Sequence, residues 1–272
     1  AAINGFGRSG RLVLRSIIEH DRKDIEVVAI NDLGPVETNA HLLQYDTVHG
    51  KLNEEVSVDG DMIRVGDRAF KCTAIRNPAE LPHGDMGVDI AFECTGIFAS
   101  KEKAAAHLEA GAKRVLVSAP ATNADKTIVY GVNHDTLSAD DLVVSNASCT
   151  TICLSPVAYV RNDTVGFERG YMTTVHAYTG DQPTLDRMHK DLYRARAAAS
   201  SMIPTSTGAA KAVGLVLPEL AGKLNGSAVR VPTPNVSMID LVFDAGRETS
   251  VEEVNAAIKA AADGPMKGVL GY

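Results

Sequence analysis

Ala1-Ala2-Ile3-Asn4-Gly5-Phe6-Gly7-Arg8-Ser9-Gly10 is the stretch that decides the fold. A short apolar fragment runs into a G-x-G-x-x-G, and Leu12-Val13-Leu14-Arg15-Ser16-Ile17-Ile18 leaves it with helical patterning. Strand, glycine turn and amphipathic helix in that order form the context in which the motif has mechanical meaning. The first glycine permits the tight turn, the second lets backbone approach a pyrophosphate, and the third allows close helix–strand packing, with the phosphates on the helix N-terminus.

Reading outward, Ile25 to Ile30 (IEVVAI) is the next expected strand, and it ends in Asn31-Asp32. An acidic residue about 20 positions beyond the glycine turn is placed to hydrogen-bond a ribose 2′-hydroxyl. A carboxylate at Asp32 repels a 2′-phosphate, so the pattern predicts NAD rather than NADP. A helix is expected over Val36 to Gln44, then short strands at Val56 to Val58, Met62 to Val65 and Phe70 to Thr73, with Asp59-Gly60-Asp61 as a hairpin turn. Val88 to Phe92 and Arg114 to Ser118 read as further strands around a helix from Lys101 to Ala110. Apolar strands alternating with helices imply a parallel, Rossmann-type sheet whose ligands bind beyond the carboxyl ends of the strands. Gly5, Phe6, Gly7, Arg8, Ser9, Gly10, Asp32, Thr95, Gly96 and Ser118 all fall at such ends, as does Cys149.

The whole chain has 272 residues, 45% hydrophobic and 22% charged, which suffices for two domains. With 27 basic against 34 acidic side chains the net charge is −7, which recruits neither nucleic acid nor an anionic membrane. No apolar run is long enough to span a bilayer, and no signal sequence opens the chain. Cys72, Cys94, Cys149 and Cys153 show neither a disulfide framework nor a paired zinc pattern, so a reducing, cytoplasmic compartment and no metal are expected. The first strand is unusually short and Gly268 to Tyr272 resembles mid-domain sequence, so material is expected to be missing at both ends.

A second chemical centre stands at Ser145-Asn146-Ala147-Ser148-Cys149-Thr150-Thr151. An apolar strand enters it and a helical stretch to Val160, interrupted by Pro156, leaves it. Orphan backbone N–H groups and the positive dipole end converge on a residue so placed, and both favour the nucleophilic thiolate. After Val160 the pattern changes. Phe167 to Tyr178 alternates as a long strand ending at His176, Val229 to Val231 and Val236 to Phe243 read as strands, and Val251 to Ala262 as a helix. The expected fold is thus α/β: a Rossmann-type parallel-sheet domain over 1–148, followed by an α+β catalytic domain with a largely antiparallel sheet over 149–272. The polar, basic segment from Thr179 to Ser201 is too long for an ordinary connection. Thr205 to Gly208 precedes a helix and suits either an anion site or a plain cap.

Together Ala2 to Arg8, Ser145 to Thr151, His176-Ala177-Tyr178-Thr179 and Arg230-Val231-Pro232-Thr233-Pro234 resemble the phosphorylating glyceraldehyde-3-phosphate dehydrogenases, and the similarity runs over the whole chain. The resemblance implies oxidation of D-glyceraldehyde 3-phosphate with NAD and inorganic phosphate to 1,3-bisphosphoglycerate, in a homotetramer of glycolysis. It implies Cys149 as nucleophile and His176 as base. It puts Thr179, Asp181 and Arg230 on the substrate's phosphate, and Ser148, Thr150, Arg194, Thr207 and Gly208 on the attacking phosphate. It adds Arg76 to Gly5, Gly7, Arg8, Asp32, Thr95 and Ser118 as residues touching NAD. Arg187-Met188 stands where the family commonly has Leu-Pro, and Gly180 where it commonly has asparagine.

Overall fold

Strand β1 (Ala2–Asn4) is buried along its whole length and runs into the glycine turn, from which helix α1 (Arg8–Glu19) departs. The computed structural model describes residues 1–272. Gly5 has φ +88°, a conformation that costs glycine little, and a side chain there would collide with the Thr95 backbone. A Cβ on Gly10 would sit 2.1 Å from the Gly5 carbonyl oxygen, so glycine alone lets α1 start this close to the strand. Nothing lies within 4 Å of where a Cβ on Gly7 would project, which leaves the second glycine open to a ligand.

Around β1 the chain builds β2 (Ala29–Asn31), α2 (Val36–Gln44), a small ribbon of β3 (Tyr45–Asp46) and β4 (Gly50–Lys51), then β5 (Val56–Asp59), β6 (Met62–Val65) and β7 (Arg68–Thr73). After β8 (Ile90–Glu93) come the short helices α3 (Lys101–Ala104) and α4 (Ala106–Glu109), β9 (Arg114–Val117), β10 (Lys126–Thr127) and β11 (Val143–Ser145). Nine of these strands form one sheet in the order β10-β11-β9-β8-β1-β2-β7-β6-β5. It is parallel from β10 to β7 and antiparallel across β7-β6-β5. Leu14, Ile17 and Ile18 of α1 pack with Phe6, Ile30, Ile63 and Phe70 in its main core. Burying each such side chain contributes about 1.5–3 kcal/mol.

Two expected elements differ in extent. The ladder of β2 is confined to Ala29–Asn31 rather than beginning at Ile25, and its pairings with both β1 and β7 cover just those three residues. The expected helix over 101–110 is divided at Ala105, although Ala105 N and Glu109 N still bond in helical register.

The chain divides into two units, 1–127 with 137–146 and 128–136 with 147–272. Residues 128–136, on the N-terminal side of the division expected at 148, group with the second unit because fully buried Val129 belongs to its core. That unit contains α5 (Cys149–Val165), β12 (Arg169–Ala177), β13 (Ile203–Ser206), α6 (Ala209–Val216), β14 (Leu224–Val231), β15 (Met238–Asp244) and α7 (Val251–Asp263). Its four-stranded sheet has the order β13-β14-β12-β15, antiparallel at both outer pairs and parallel at the central β12–β14 pair. Pro156 lies inside α5, which begins at Cys149 and passes through it. The proline forfeits one helical hydrogen bond there without ending the helix.

Candidate active site

Cys149 is the first residue of α5. Its helix is capped by Ser148, whose side chain accepts from Thr151 N at 3.1 Å. The Thr151 hydroxyl donates to the Ala209 carbonyl at 3.2 Å, tying the start of α5 to the start of α6. Ser148 Oγ in turn lies 2.8 Å from Thr151 Oγ1 and donates to it. The Ser148 hydroxyl is therefore engaged on both sides as a cap.

His176 comes from the carboxyl end of β12, on the sheet face that also carries buried Met172 and Thr174. Its Nε2 lies 3.1 Å from Cys149 Sγ, and its Nδ1 lies 2.6 Å from the Ala177 carbonyl. A carbonyl only accepts, so Nδ1 carries a proton and Nε2 is the nitrogen that exchanges one with sulfur. The hydrogen bond to His176, aided by its charge, holds the Cys149 thiol below the ordinary range against the opposing effect of burial. The same bond holds His176 above the ordinary imidazole value. Both directions favour a thiolate–imidazolium pair. Cys94, by contrast, is buried and pushed up to about 11, the behaviour of inert core thiol.

Arg230 of β14 is the register partner of His176. Its Nη1 donates to the Ala177 carbonyl at 3.1 Å and to Thr179 Oγ1 at 3.2 Å, so Thr179 and Arg230 come together beside the base. Asp181 joins Arg194 at 2.6 Å and His189 at 3.0 Å. An ionised carboxylate has no proton to give a phosphate oxygen, so Asp181 orients the guanidinium and the imidazole. Asp191 also holds Arg194, at 3.0 Å, and accepts from Thr205 Oγ1 at 2.5 Å. Thr207 Oγ1 accepts from Ala209 N at 3.1 Å, and Gly208, the residue before α6, is exposed. Thr150 is buried beside the thiol. Asp191 was not expected from sequence, and His189 stood out there only as one of the basic residues of the long segment. Their signal was the alternation of acidic and basic residues inside a loop too long to be idle.

In the first unit Asp32 accepts from Phe6 N at 2.8 Å and Gly34 N at 2.9 Å, so it stands against the glycine turn. Arg8 is paired with Asp46, and Ser9 and Gly10 lie in the first turn of α1. Thr95 donates its backbone N–H to Glu93 Oε1 at 2.8 Å and its hydroxyl to the same oxygen, and Gly96 follows with φ +73°. Ser118 directly follows β9 and Arg76 is exposed after β7. The open position at Gly7, the free start of α1 and the carboxylate of Asp32 fit a dinucleotide.

A Rossmann-type sheet with a glycine turn and a thiol–imidazole pair stand in one chain, the features of a nucleotide-dependent oxidoreductase. Two family models match: "Glyceraldehyde 3-phosphate dehydrogenase, NAD binding domain" over residues 1–101, and "Glyceraldehyde 3-phosphate dehydrogenase, C-terminal domain" over residues 148–272. The glyceraldehyde-3-phosphate dehydrogenases of Xanthobacter flavus and Cereibacter sphaeroides are each 73% identical over 271 residues, covering 100% of this chain and 81% of theirs. Glyceraldehyde-3-phosphate dehydrogenase 1 of Bacillus subtilis is 59% identical over 271 residues, 99% of this chain and 80% of its own. The chain belongs to the glyceraldehyde-3-phosphate dehydrogenase family. It is an oxidoreductase that uses NAD.

Proposed function

We propose that this chain oxidises D-glyceraldehyde 3-phosphate with NAD and inorganic phosphate to 1,3-bisphosphoglycerate, through a thioester on Cys149. The observation that carries the reading is the 3.1 Å approach of His176 Nε2 to Cys149 Sγ at the start of α5. The Cys149 thiolate attacks the aldehyde carbon, and the imidazolium of His176 gives its Nε2 proton to the alkoxide. His176 takes that proton back as the C1 hydride leaves, and the carbon becomes a thioester carbonyl. The glycine turn, Asp32 and the Thr95 loop would hold NAD, which when bound would supply the hydride acceptor. Inorganic phosphate then attacks the thioester, the imidazolium and the Cys149 N–H stabilise the oxyanion, and the thiolate leaves while the phosphate's own proton goes to solvent.

Arg230 with Thr179 binds the substrate's phosphate, and Arg194 with Thr207 and Gly208 receives the attacking phosphate. Arginine grips phosphate oxygens as a fork, which suits both places. The decisive experiment follows NADH formation from the triose phosphate with and without added inorganic phosphate. Oxidation that runs equally well without phosphate overturns the phosphorylating reading.

The working form is a cytoplasmic homotetramer. Supporting this, Tyr171, Met238 and Val242 lie 50, 59 and 66% exposed on one face of the second sheet, an apolar surface that a second copy of the chain would cover. All four cysteines are free thiols, and no helix is long and apolar enough to cross a membrane. Light scattering on purified protein reads the mass of the assembly directly, and a monomer at assay concentration contradicts the tetramer.

A further inference from the structure

Four neighbouring strands of the large sheet end in polar side chains that are in register and bonded to one another. Asn31 pairs with Thr73 on one side and Asn4 on the other, and Asn4 pairs with Glu93. Thr73 Oγ1 donates to Asn31 Oδ1 at 2.8 Å, Asn31 Nδ2 to Asn4 Oδ1 at 2.7 Å, and Asn4 Nδ2 to Glu93 Oε2 at 2.6 Å. His107 Nε2 donates to the same carboxylate oxygen at 2.9 Å, and His107 Nδ1 meets His83 Nε2 at 3.0 Å. Glu93 and His107 are 1 and 0% exposed, and Asn4, Asn31 and His83 are also buried.

We propose that this ladder, Thr73–Asn31–Asn4–Glu93 closed by His107 and His83, is the positioning device for NAD: it sets the spacing of the loops that hold the dinucleotide. The proposal rests on the NAD reading above and deepens it. Each rung immediately precedes a loop of the cofactor site. Asn4 precedes Gly5, Asn31 precedes Asp32, and Glu93 fixes both the N–H and the hydroxyl of Thr95. Asn31 also accepts from Ile75 N and donates to the Ile75 carbonyl, both at 2.8 Å, and Ile75 adjoins Arg76.

Two members of the ladder are fully engaged. Asn31 accepts two bonds and donates two, and Glu93 accepts four, two on each oxygen. At these two buried residues any slip of the ladder would leave a donor or acceptor unpaired without water. An apolar sheet end would hold the strands together but leave the loops above it free to shift. The residues of the ladder are therefore positioning residues, acting on NAD through Gly5, Asp32 and Thr95.

The test uses Glu93→Gln, which keeps shape and removes a buried charge, but turns an amide NH2 toward groups that are themselves donors. NAD affinity is measured by calorimetry, and the alkylation rate of Cys149 without NAD reports on the second unit. The expected result is an NAD Kd raised about tenfold or more, with the Cys149 rate unchanged. A milder pair, Thr73→Val and Thr73→Ser, covers the case in which Glu93→Gln does not fold. The valine should weaken NAD by about threefold or more, and the serine should restore wild-type affinity. A folded Glu93→Gln protein that binds NAD like wild type overturns the proposal, as does a Thr73→Val protein with unaltered affinity. Failure of the wild-type protein itself to bind NAD overturns the reading beneath the proposal, a separate and recognisable outcome.

Discussion

His176 and Arg230 share one acceptor: the Ala177 carbonyl receives the Nδ1 proton of the imidazole at 2.6 Å and an Nη1 proton of the guanidinium at 3.1 Å. They are partners across the parallel β12–β14 pair, so a base and a fixed cation rise together from one sheet face. The arrangement keeps the imidazole in the tautomer that aims Nε2 at sulfur, and places a phosphate-binding fork one residue spacing away.

Arg230→Ala should raise the KM for the triose phosphate about 10- to 100-fold, the cost of a charge-assisted contact, and leave the KM for NAD unchanged. Steady-state kinetics with each substrate varied in turn checks this. Arg230 also lowers the His176 pKa by its charge, so the same variant should move the base's titration upward.

The two thiols of α5 should separate cleanly. Cys153, one turn after Cys149 and also exposed, is pushed above the ordinary thiol range by partial desolvation of its sulfur and by the neighbouring Cys149 charge, whereas Cys149 is held below it. Near neutral pH an alkylating agent should modify Cys149 at least about tenfold faster than Cys153, as peptide mass spectrometry would show. Cys153→Ser should keep its dehydrogenase activity.

Asp191 is the peg of the loop over 179–201. The Thr205 hydroxyl and Arg194 hold its carboxyl well below the usual range. A carboxyl whose folded pKa lies below its unfolded value of roughly 3.9 contributes stability in full above that value and loses it as the pH falls through the folded one. Acid should therefore loosen this segment, as read by hydrogen exchange of its peptides. Asp191→Asn should reproduce the loosening at neutral pH as faster tryptic cleavage within 179–201.

The glycine turn was legible because Gly5 and Gly10 answer separate steric demands and Gly7 leaves the backbone open to a ligand, and their spacing survives any tertiary context. The cysteine helix was legible for the same kind of reason: Ser148 before Cys149 is a local cap signal. The meeting of His176 with Cys149 was not written in spacing, since 27 residues and a change of element separate them. It required the family resemblance, and the structure supplies the register that achieves it. The parallel pairing of β12 with β14 was likewise hidden, because alternation along a strand does not encode its neighbour's direction. Residues 128–136 were misplaced because Val129 carries no mark of which core it joins. Asn4, Asn31 and Glu93 were visible only as polar ends of apolar strands. Their mutual bonds depend on strand order, which composition does not reveal.

Whether His176 makes Cys149 a nucleophile at neutral pH is read from the rate of Cys149 alkylation as a function of pH. In the wild-type protein the rate should rise with a midpoint below the free-thiol value of roughly 8.5, and His176→Asn should move the midpoint up to that value or beyond. Superimposable profiles for the two proteins would show that His176 does not activate the thiol.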